Sequence, residues 1–491
     1  MYLLLKNHDY HFELQNICRL FLPQEKIVIP DGETDLSGVI AETVLEQEKT
    51  TTTLRCRLRL DDFDGQLSDT VPSDHPQWKD ECERRLCELL YRLFVQLLGM
   101  EQTWGIVTGV RPVKLLRRLV AEQGEESALR YLREQLLVSE EKLALCRQTL
   151  EAENRLLTMS RPESYSLYVS VPFCPTRCDY CSFVSQTVTR AAKLMPAYVE
   201  QLARELVHTA AIARDLGLRL ETVYFGGGTP TTLTAEQLRL LTDTVAREFD
   251  LSTLREYTVE AGRPDTVTDD KLRVLKEAGV TRISINPQTL SDQVLRTIGR
   301  RHTVEQFYDA FAMARRCGHT NINTDLIAGL PGDTCEGFSA TLDGILSLSP
   351  ESVTVHTLSM KRASNLSLQK RADYEVADEA VRMVAESAHR LPAVGYRPYY
   401  LYRQSRTVGN QENVGWAKPG YEGLYNVYIM DETHTILACG AGAVSKLKQP
   451  GTDYLERIFN YKFPYEYNSG LEEMLRRKEY VREFYERFCQ V

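Results

Sequence analysis

Three cysteines with short, regular spacing are the residues in this chain best suited to chemistry. They lie in Tyr168-Val-Ser-Val-Pro-Phe-Cys174-Pro-Thr-Arg-Cys178-Asp-Tyr-Cys181-Ser-Phe183, a C-x3-C-x2-C pattern. Apart from Asp179 no competing ligand stands between them, so three thiolates can converge from one short loop. A structural zinc ion normally takes four protein ligands, commonly from two separated pairs. A fully ligated iron–sulfur cubane takes four thiolates. Three on one loop can hold three irons of a 4Fe-4S cluster and leave the fourth iron open to an outside ligand. Zinc with a remote fourth ligand and a chance run of cysteines are the competing readings.

Other polar residues recur at intervals downstream. Gly226-Gly227-Gly228-Thr229-Pro230-Thr231 lets the backbone approach a ligand closely, with its N–H groups free to meet a carboxylate. It is neither G-x-G-x-x-G nor a P-loop. Then come Glu260 in Thr258-Val-Glu260-Ala-Gly-Arg263-Pro-Asp265, Gln288 in Ile283-Ser-Ile-Asn286-Pro-Gln288, Arg300 in Gly299-Arg300-Arg301-His302, Asp325 and His356. A carboxylate such as Glu260 is costly to bury without a partner; a ribose hydroxyl pair or a ligand ammonium would supply one. Each of these alone reads equally as a cap or loop residue.

The elements that must position them alternate between strand and helix from about Ser166 to Leu358. Strands are expected at Leu167–Val171, Thr222–Phe225, Tyr257–Ala261, Arg282–Asn286, Ile322–Ile327 and Ser352–Thr357. Between them helices are expected at Met195–Leu216, Ala235–Phe249, Asp269–Ala278, Val304–Cys317 and Cys335–Leu348. This is the pattern of parallel βα units, and polar groups stand at or near the C-terminal end of every successive strand, with Arg300 in the connection after the fourth, where such folds gather their chemistry. The expected fold class is α/β, a partial (β/α)6 barrel over 158–375. An α+β accessory domain over 1–157 precedes it, and a mainly helical or α+β extension over 376–491 follows. The first part shows strand character at Lys26–Pro30 and Thr53–Leu60, a helix at Glu81–Leu98, and a further amphipathic helix from Leu129 to Leu157. Gly109, Arg111 and Lys114 could form an anion pocket near a helix start, or a solvated basic loop. Its cysteines Cys18, Cys56, Cys82, Cys87 and Cys146 lack metal-like clustering. In the last part, Tyr396, Tyr399, Tyr400, Tyr402 and Arg403 could cover a flat anionic ring or form a polar-capped core strand. Cys439 reads as a small buried residue.

The middle region resembles the radical S-adenosylmethionine (SAM) superfamily and, within it, the oxygen-independent coproporphyrinogen III oxidase (dehydrogenase) family with its haem-chaperone relatives. The matching strings are Leu167-Tyr168 with Val-Pro-Phe-Cys174, Phe225-Gly-Gly-Gly-Thr-Pro-Thr231, Thr258-Val-Glu260, Arg282-Ile-Ser-Ile with Gln288, Gly299-Arg300 with His302, and Asp325-Leu-Ile-Ala-Gly-Leu-Pro-Gly332. The long N-terminal part with Gly109-Val-Arg-Pro-Val-Lys114 looks most like the HemZ-like branch. The resemblance implies a 4Fe-4S cluster on Cys174, Cys178 and Cys181. It also implies one or two SAM molecules contacted by Tyr168, Tyr180, Gly227, Gly228, Thr229, Glu260, Gln288, Arg300 and Asp325. The activity implied is oxidative decarboxylation of coproporphyrinogen III propionates to vinyl groups, giving protoporphyrinogen IX, fed by a one-electron donor such as flavodoxin or ferredoxin. The alternative is a haem-binding chaperone that carries cluster and SAM without turning over porphyrinogen; a third is a radical SAM enzyme on another substrate. Two departures bear on the choice: Phe183 stands where the best-characterised oxidases carry a fourth cysteine, and Ala-Gly-Arg-Pro-Asp follows Glu260 where Asn/Asp-Pro is usual.

Composition sets outer limits. The 491 residues exceed one core and call for two or three domains, and 43% hydrophobic with 26% charged residues is ordinary globular usage. A net charge of −9 argues against nucleic-acid binding. No apolar run approaches a membrane span, and Met1-Tyr-Leu-Leu-Leu-Lys-Asn-His lacks the features of a signal peptide. With 12 cysteines in a long chain of this type, reduced thiols or metal binding are expected over disulfides, in a cytoplasmic setting.

Overall fold

The computed structural model of the chain describes residues 1–23, 25–30, 38–359, 374–404 and 406–488. These form two compact units, Met1–Arg147 with Arg403–Arg406, and Gln148–Tyr402 with Thr407–Val491.

In the first unit a four-stranded sheet runs in the order β1 (Tyr2–Lys6), β2 (Ile40–Gln47), β3 (Thr51–Leu60), β4 (Phe63–Pro72). β3 carries the alternation expected of one exposed face, with Leu54, Cys56 and Leu58 turned inward. The helix Trp78–Leu98 buries Leu86, Leu90, Leu93 and Phe94 in the same core. Cys18, Cys56, Cys82 and Cys87 serve there as small apolar side chains, and burial pushes the Cys18 thiol up to about 12. Of the Lys26–Pro30 strand only a single bridge forms, Tyr2 to Val28. The helix expected over Leu129–Leu157 is two helices, Glu125–Glu134 and Glu140–Leu157. The break exists because Leu137 takes a left-handed backbone (φ 59) and the Leu136 carbonyl accepts from the Ile106 N–H (3.0 Å) rather than continuing the helical ladder. Pro112 opens the helix Pro112–Gln123, where its missing N–H costs nothing. A Cβ on Gly109 would meet nothing within 4 Å, as in an ordinary loop.

The second unit is built on an eleven-stranded sheet. Six of its parallel strands lie side by side in chain order: β5 (Ser164–Val171), β8 (Arg219–Gly227), β9 (Glu256–Glu260), β10 (Arg282–Ser284), β11 (Ile322–Ala328) and β12 (Ser352–Thr357). All six stand where the sequence places them. They are almost wholly buried, as parallel strands covered on both faces must be. β10 is shorter than expected because Pro287 has no N–H to extend the ladder. The helices Met195–Asp215, Ala235–Glu248, Asp269–Glu277, Val304–Arg316 and Cys335–Leu348 follow their expected ranges to within one residue. Two begin with full capping boxes, Thr234 with Gln237 and Thr303 with Gln306.

The C-terminal third supplies more strand than the sequence suggests. β14 (Asn413–Ala417) pairs antiparallel with β12, and β13 (Arg397–Tyr402) antiparallel with β14 at the sheet edge. On the other side β15 (Thr435–Cys439) pairs parallel with β5, and β16 (Val444–Lys448) and β17 (Leu455–Phe459) complete the sheet. Tyr396, Tyr399 and Tyr400 are buried in this extension, with Tyr399 and Tyr400 packed against Leu424, Val427 and Tyr428. That is the core-strand reading; these rings are not available to cover a ligand. No described helix is long and apolar enough to cross a membrane.

Candidate functional site

The cysteine loop leaves the end of β5 through Pro172. It is closed at its base by a short parallel pair, β6 (Phe173–Cys174) on β7 (Gln186–Thr187), with Cys174 opposite Thr187. Within it the Cys181 N–H donates to the Cys178 carbonyl (3.1 Å), a tight turn between the second and third cysteines. A second clamp comes from outside: the Asp179 N–H donates to Ile298 O (3.0 Å) and Thr176 Oγ1 to Gly299 O (3.2 Å).

The glycine segment lies directly against this loop, because Gly226 and Gly227 at the end of β8 pair with Ser170 and Val171 at the end of β5. Gly227 has φ 107, a conformation that favours glycine. The Gly228 N–H donates to Val171 O (2.8 Å) and the Thr229 N–H to Phe173 O (2.7 Å), so these two N–H groups tie the turn to the cysteine loop and are not free to meet a carboxylate, contrary to the expectation from the sequence. A Cβ on Gly228 would come within 2.6 Å of Phe173 O and 3.0 Å of Cys174 Sγ, so close approach demands glycine there. Thr229 Oγ1 donates to Cys174 Sγ at 3.6 Å.

The remaining candidates line the same C-terminal rim. Tyr168 on β5 is half-buried and stacks near Tyr224 (6.2 Å between rings) and Tyr425 (6.0 Å). Tyr224 donates to Glu260 Oε1 at 2.6 Å. Burial pushes the Glu260 carboxyl up to about 7, against the Tyr224 hydrogen bond and helped by the Asp325 charge. Asp325 accepts from Asn286 Nδ2 and Asn323 Nδ2, both at 2.7 Å. Burial opposes its charge, but hydrogen bonds including that from His356 hold its carboxyl below the ordinary range. Gln288, at φ 72, exchanges backbone hydrogen bonds with Asp325 and Ile327 (3.0 Å each) and so fixes the turn after β10. Arg300 is buried and bonds to Asn286 O (2.6 Å), Gly262 O (3.4 Å) and the Tyr180 hydroxyl (3.1 Å). It braces the rim, and Tyr180 packs beside it on Val294, Leu295 and Ile298.

Asn286 joins two of these groups, touching Arg300 through its carbonyl and Asp325 through its amide. Arg263 joins a third. Its guanidinium, 3% exposed, pairs with Asp265 through two contacts of 3.1 Å, and reaches Thr176 Oγ1 (3.1 Å) and Cys178 Sγ (3.7 Å). Sequence reading passed over Arg263, Tyr224 and Tyr425. The one available signal for Arg263 was its place in an unusual Ala-Gly-Arg-Pro-Asp string. Nothing local pointed to Tyr425, which arrives from the helix Leu424–Asp431. His302, also buried, has no hydrogen-bond partner on either ring nitrogen. Burial, then the Arg300 and Arg263 charges, push its pKa down to about 3, leaving the ring neutral.

Three cysteine thiols on one loop suit a cluster, since thiolates on a cubane each take a different iron. Among the described residues no group of three His, Cys, Asp or Glu side chains is placed to hold a single metal ion. Burial pushes the Cys174 thiol up and the Cys181 thiol up to about 11. The tight packing at Gly228 holds the glycine turn against the cysteine loop itself.

Comparisons with known proteins agree with this geometry. A profile of the radical SAM superfamily matches residues 168–345. The chain is 36% identical to the oxygen-independent coproporphyrinogen-III oxidase-like protein HemZ of Bacillus subtilis, over 98% of this chain and 97% of that one. It is 32% identical to the heme chaperone HemW of the same organism, over 61% of this chain and 77% of the relative. Among solved structures, the coproporphyrinogen III oxidase HemN of Escherichia coli, described as a radical SAM enzyme, matches with a TM-score of 0.51 and 23% identity. That match covers 66% of this chain and 73% of HemN and speaks to the fold alone. The chain therefore belongs to the radical SAM superfamily, in the oxygen-independent coproporphyrinogen III oxidase family and its HemZ-like branch, with a 4Fe-4S cluster and S-adenosylmethionine as its cofactors.

Proposed function

We propose that this protein oxidatively decarboxylates propionate side chains of coproporphyrinogen III to vinyl groups, giving protoporphyrinogen IX. The observation that carries the reading is the 36% identity to a coproporphyrinogen-III oxidase-like relative, sustained over both chains almost end to end. When bound, the cluster and SAM supply one-electron cleavage of a sulfonium and hence a strong hydrogen-atom abstractor. The chain's own residues bind, orient and keep water away. Cys174, Cys178 and Cys181 would hold the cluster. Gly227, Gly228 and Thr229 would set the turn beside the amino-acid end of SAM, with the Gly228 and Thr229 N–H groups spent on Val171 and Phe173, and Glu260 would take a hydroxyl pair or ammonium. Tyr168 and Tyr180 give apolar walls, while Gln288, Arg300 and Asp325 shape the rim around one or two SAM molecules. Tyr224 holds its proton against Glu260, and the stacked Tyr168, Tyr224 and Tyr425 exclude water from that side. The electron comes from an external one-electron donor, in a reducing, cytoplasmic setting.

Anaerobic reconstitution with iron and sulfide, followed by SAM, reductant and coproporphyrinogen III, tests this. Loss of CO2 and formation of protoporphyrinogen are expected, and Cys178→Ala should abolish both along with the visible cluster absorption. SAM cleavage without any decarboxylated product would remove the reading. A second reading, a haem-binding chaperone, is favoured by Phe183, 66% exposed two residues after the last cysteine, and by the likeness to HemW. Stoichiometric haem binding with no propionate loss would select it.

A further inference from the structure

A cleft of about 1170 Å³ opens beside the cysteine loop. One wall is the loop itself, through Pro175, Thr176 and Arg177. The opposite wall is the helix Asp292–Thr297 with the turn behind it. The walls are stitched together, since Asp179 and Thr176 bond to the Ile298 and Gly299 carbonyls. Anything seated in the cleft therefore rests on the residues that separate the first two cysteines.

Its charge is the unusual feature. Four exposed arginines, Arg177, Arg190, Arg296 and Arg301, line this cleft with one lining carboxylate, Asp292, and with Asp179 beside Gly299 at its wall, on a chain whose net charge is −9. Among the described residues Arg190, Arg296 and Arg301 enter no ion pair, whereas most arginines of the second unit do. Four guanidinium groups gathered around one opening repel one another and make a local positive field on an otherwise acidic molecule. The buried arginine of the cleft, Arg300, already spends its donors on Asn286, Gly262 and Tyr180. The available positive charge is thus on the rim, suited to the acidic surface of another protein and not to a small anion drawn inside.

We propose that this rim is the docking surface for an acidic one-electron carrier protein that reduces the cluster. The inference rests on the radical SAM reading, which needs one electron delivered from outside at the cysteine loop. Electron transfer weakens steeply with distance, so the carrier must seat where the loop meets solvent, and this cleft is such a place. Opposite charge across the contact speeds encounter more than it adds affinity. One electron passes from the carrier's reduced cofactor to the cluster; no bond is made or broken.

The test uses the reconstituted full-length protein and its triple variant Arg190→Glu/Arg296→Glu/Arg301→Glu. Cluster bleaching is followed anaerobically with two reductants, reduced flavodoxin as the acidic protein and reduced methyl viologen as a small cation. The variant should be reduced by flavodoxin at least about tenfold more slowly at low salt, and by the cationic methyl viologen no more slowly than the wild type. The wild-type flavodoxin rate should fall as salt rises. Equal flavodoxin rates for the two proteins would overturn the proposal, as would equal slowing with methyl viologen. An unchanged flavodoxin rate with a raised KM for coproporphyrinogen would assign the rim to the substrate's carboxylates instead. A wild-type protein that holds no cluster would overturn both this inference and the reading beneath it.

Discussion

At Arg263 a single buried guanidinium serves three masters: Asp265, Thr176 and the Cys178 sulfur. The guanidinium is buried but Asp265 reaches solvent, so losing the guanidinium costs the hydrogen bonds it makes, about 1–3 kcal/mol, and not the penalty of a charge left buried and unpaired. Arg263→Met is therefore expected to lower the melting temperature and the iron content after reconstitution. In the fraction that holds a cluster, the loss of a cation beside a thiolate should move the reduction midpoint to more negative values. Arg263→Lys should recover part of the midpoint but little of the stability, since an ammonium cannot reproduce the two-pronged contact. Redox titration followed by EPR separates the two effects. Glu260 makes a pH prediction. Its native pKa of about 7 exceeds the ordinary 4.5, so the folded state keeps a proton that the unfolded chain has lost between those values. Stability from this group is whole below 4.5, declines as pH rises, and is fully lost above 7. In ligand-free protein Glu260→Gln should gain up to about 3 kcal/mol at pH 8 and nothing near pH 4. Thermal melts of both proteins at the two pH values check it; a less stable variant at pH 8 would mean that the native carboxylate is ionised and well partnered.

At the scale of elements, the contact between the ends of β5 and β8 decides where the cysteines stand. Gly228 bonds to Val171 while its missing side chain leaves room for Phe173 and Cys174, so the glycine turn and the cysteine loop share one packing surface. Gly228→Ala would drive a Cβ to within 2.6 Å and 2.8 Å of backbone atoms of Phe173, which cannot swing aside as a side-chain tip could. The expected result is a loss of about 2 kcal/mol or more and failure to take up a full complement of iron. Gly109→Ala, where the added carbon meets nothing within 4 Å, should stay within about 0.5 kcal/mol. Differential scanning calorimetry with iron analysis reports on both.

At the scale of the second unit as a whole, the sheet is finished by the C-terminal segment, and one buried ion pair pins that segment down. Glu205, in the helix Met195–Asp215, accepts from the Gly440 N–H (2.7 Å), Asn460 Nδ2 (2.8 Å) and the Tyr467 hydroxyl (2.6 Å), and pairs with Lys478 at 2.9 Å. Both side chains are fully buried. This ties the turn after β15 and the helix Leu471–Lys478 to the layer beside β5, the strand that launches the cysteine loop. Lys478→Met should cost about 3–5 kcal/mol. It should also raise amide hydrogen exchange in β15 to β17 and in the Ser170–Gly228 region, readable by mass spectrometry. Unchanged exchange in that region would show that the C-terminal strands do not support the site.

Much of the site is written in local spacing. Cysteines at 174, 178 and 181 must share a loop because covalent connectivity leaves them no choice, and the six parallel strands announce themselves through apolar runs and the turns that end them. The same patterning places Glu260 at a strand end, Gly228 and Gln288 just beyond one, and Asp325 within β11. Long-range pairing left no such trace: that Arg263 reaches Cys178, that Tyr425 stacks on Tyr224, or that the tyrosines around 399 close a core and not a ligand. Nor could it announce that the last third of the chain adds strands to both sides of the parallel set. Residue type and spacing determined which groups could bind a cluster and its cofactor. Only the tertiary structure decided which side chains surround them, because contacts between distant segments are chosen by the joint burial of many residues and not by any one stretch.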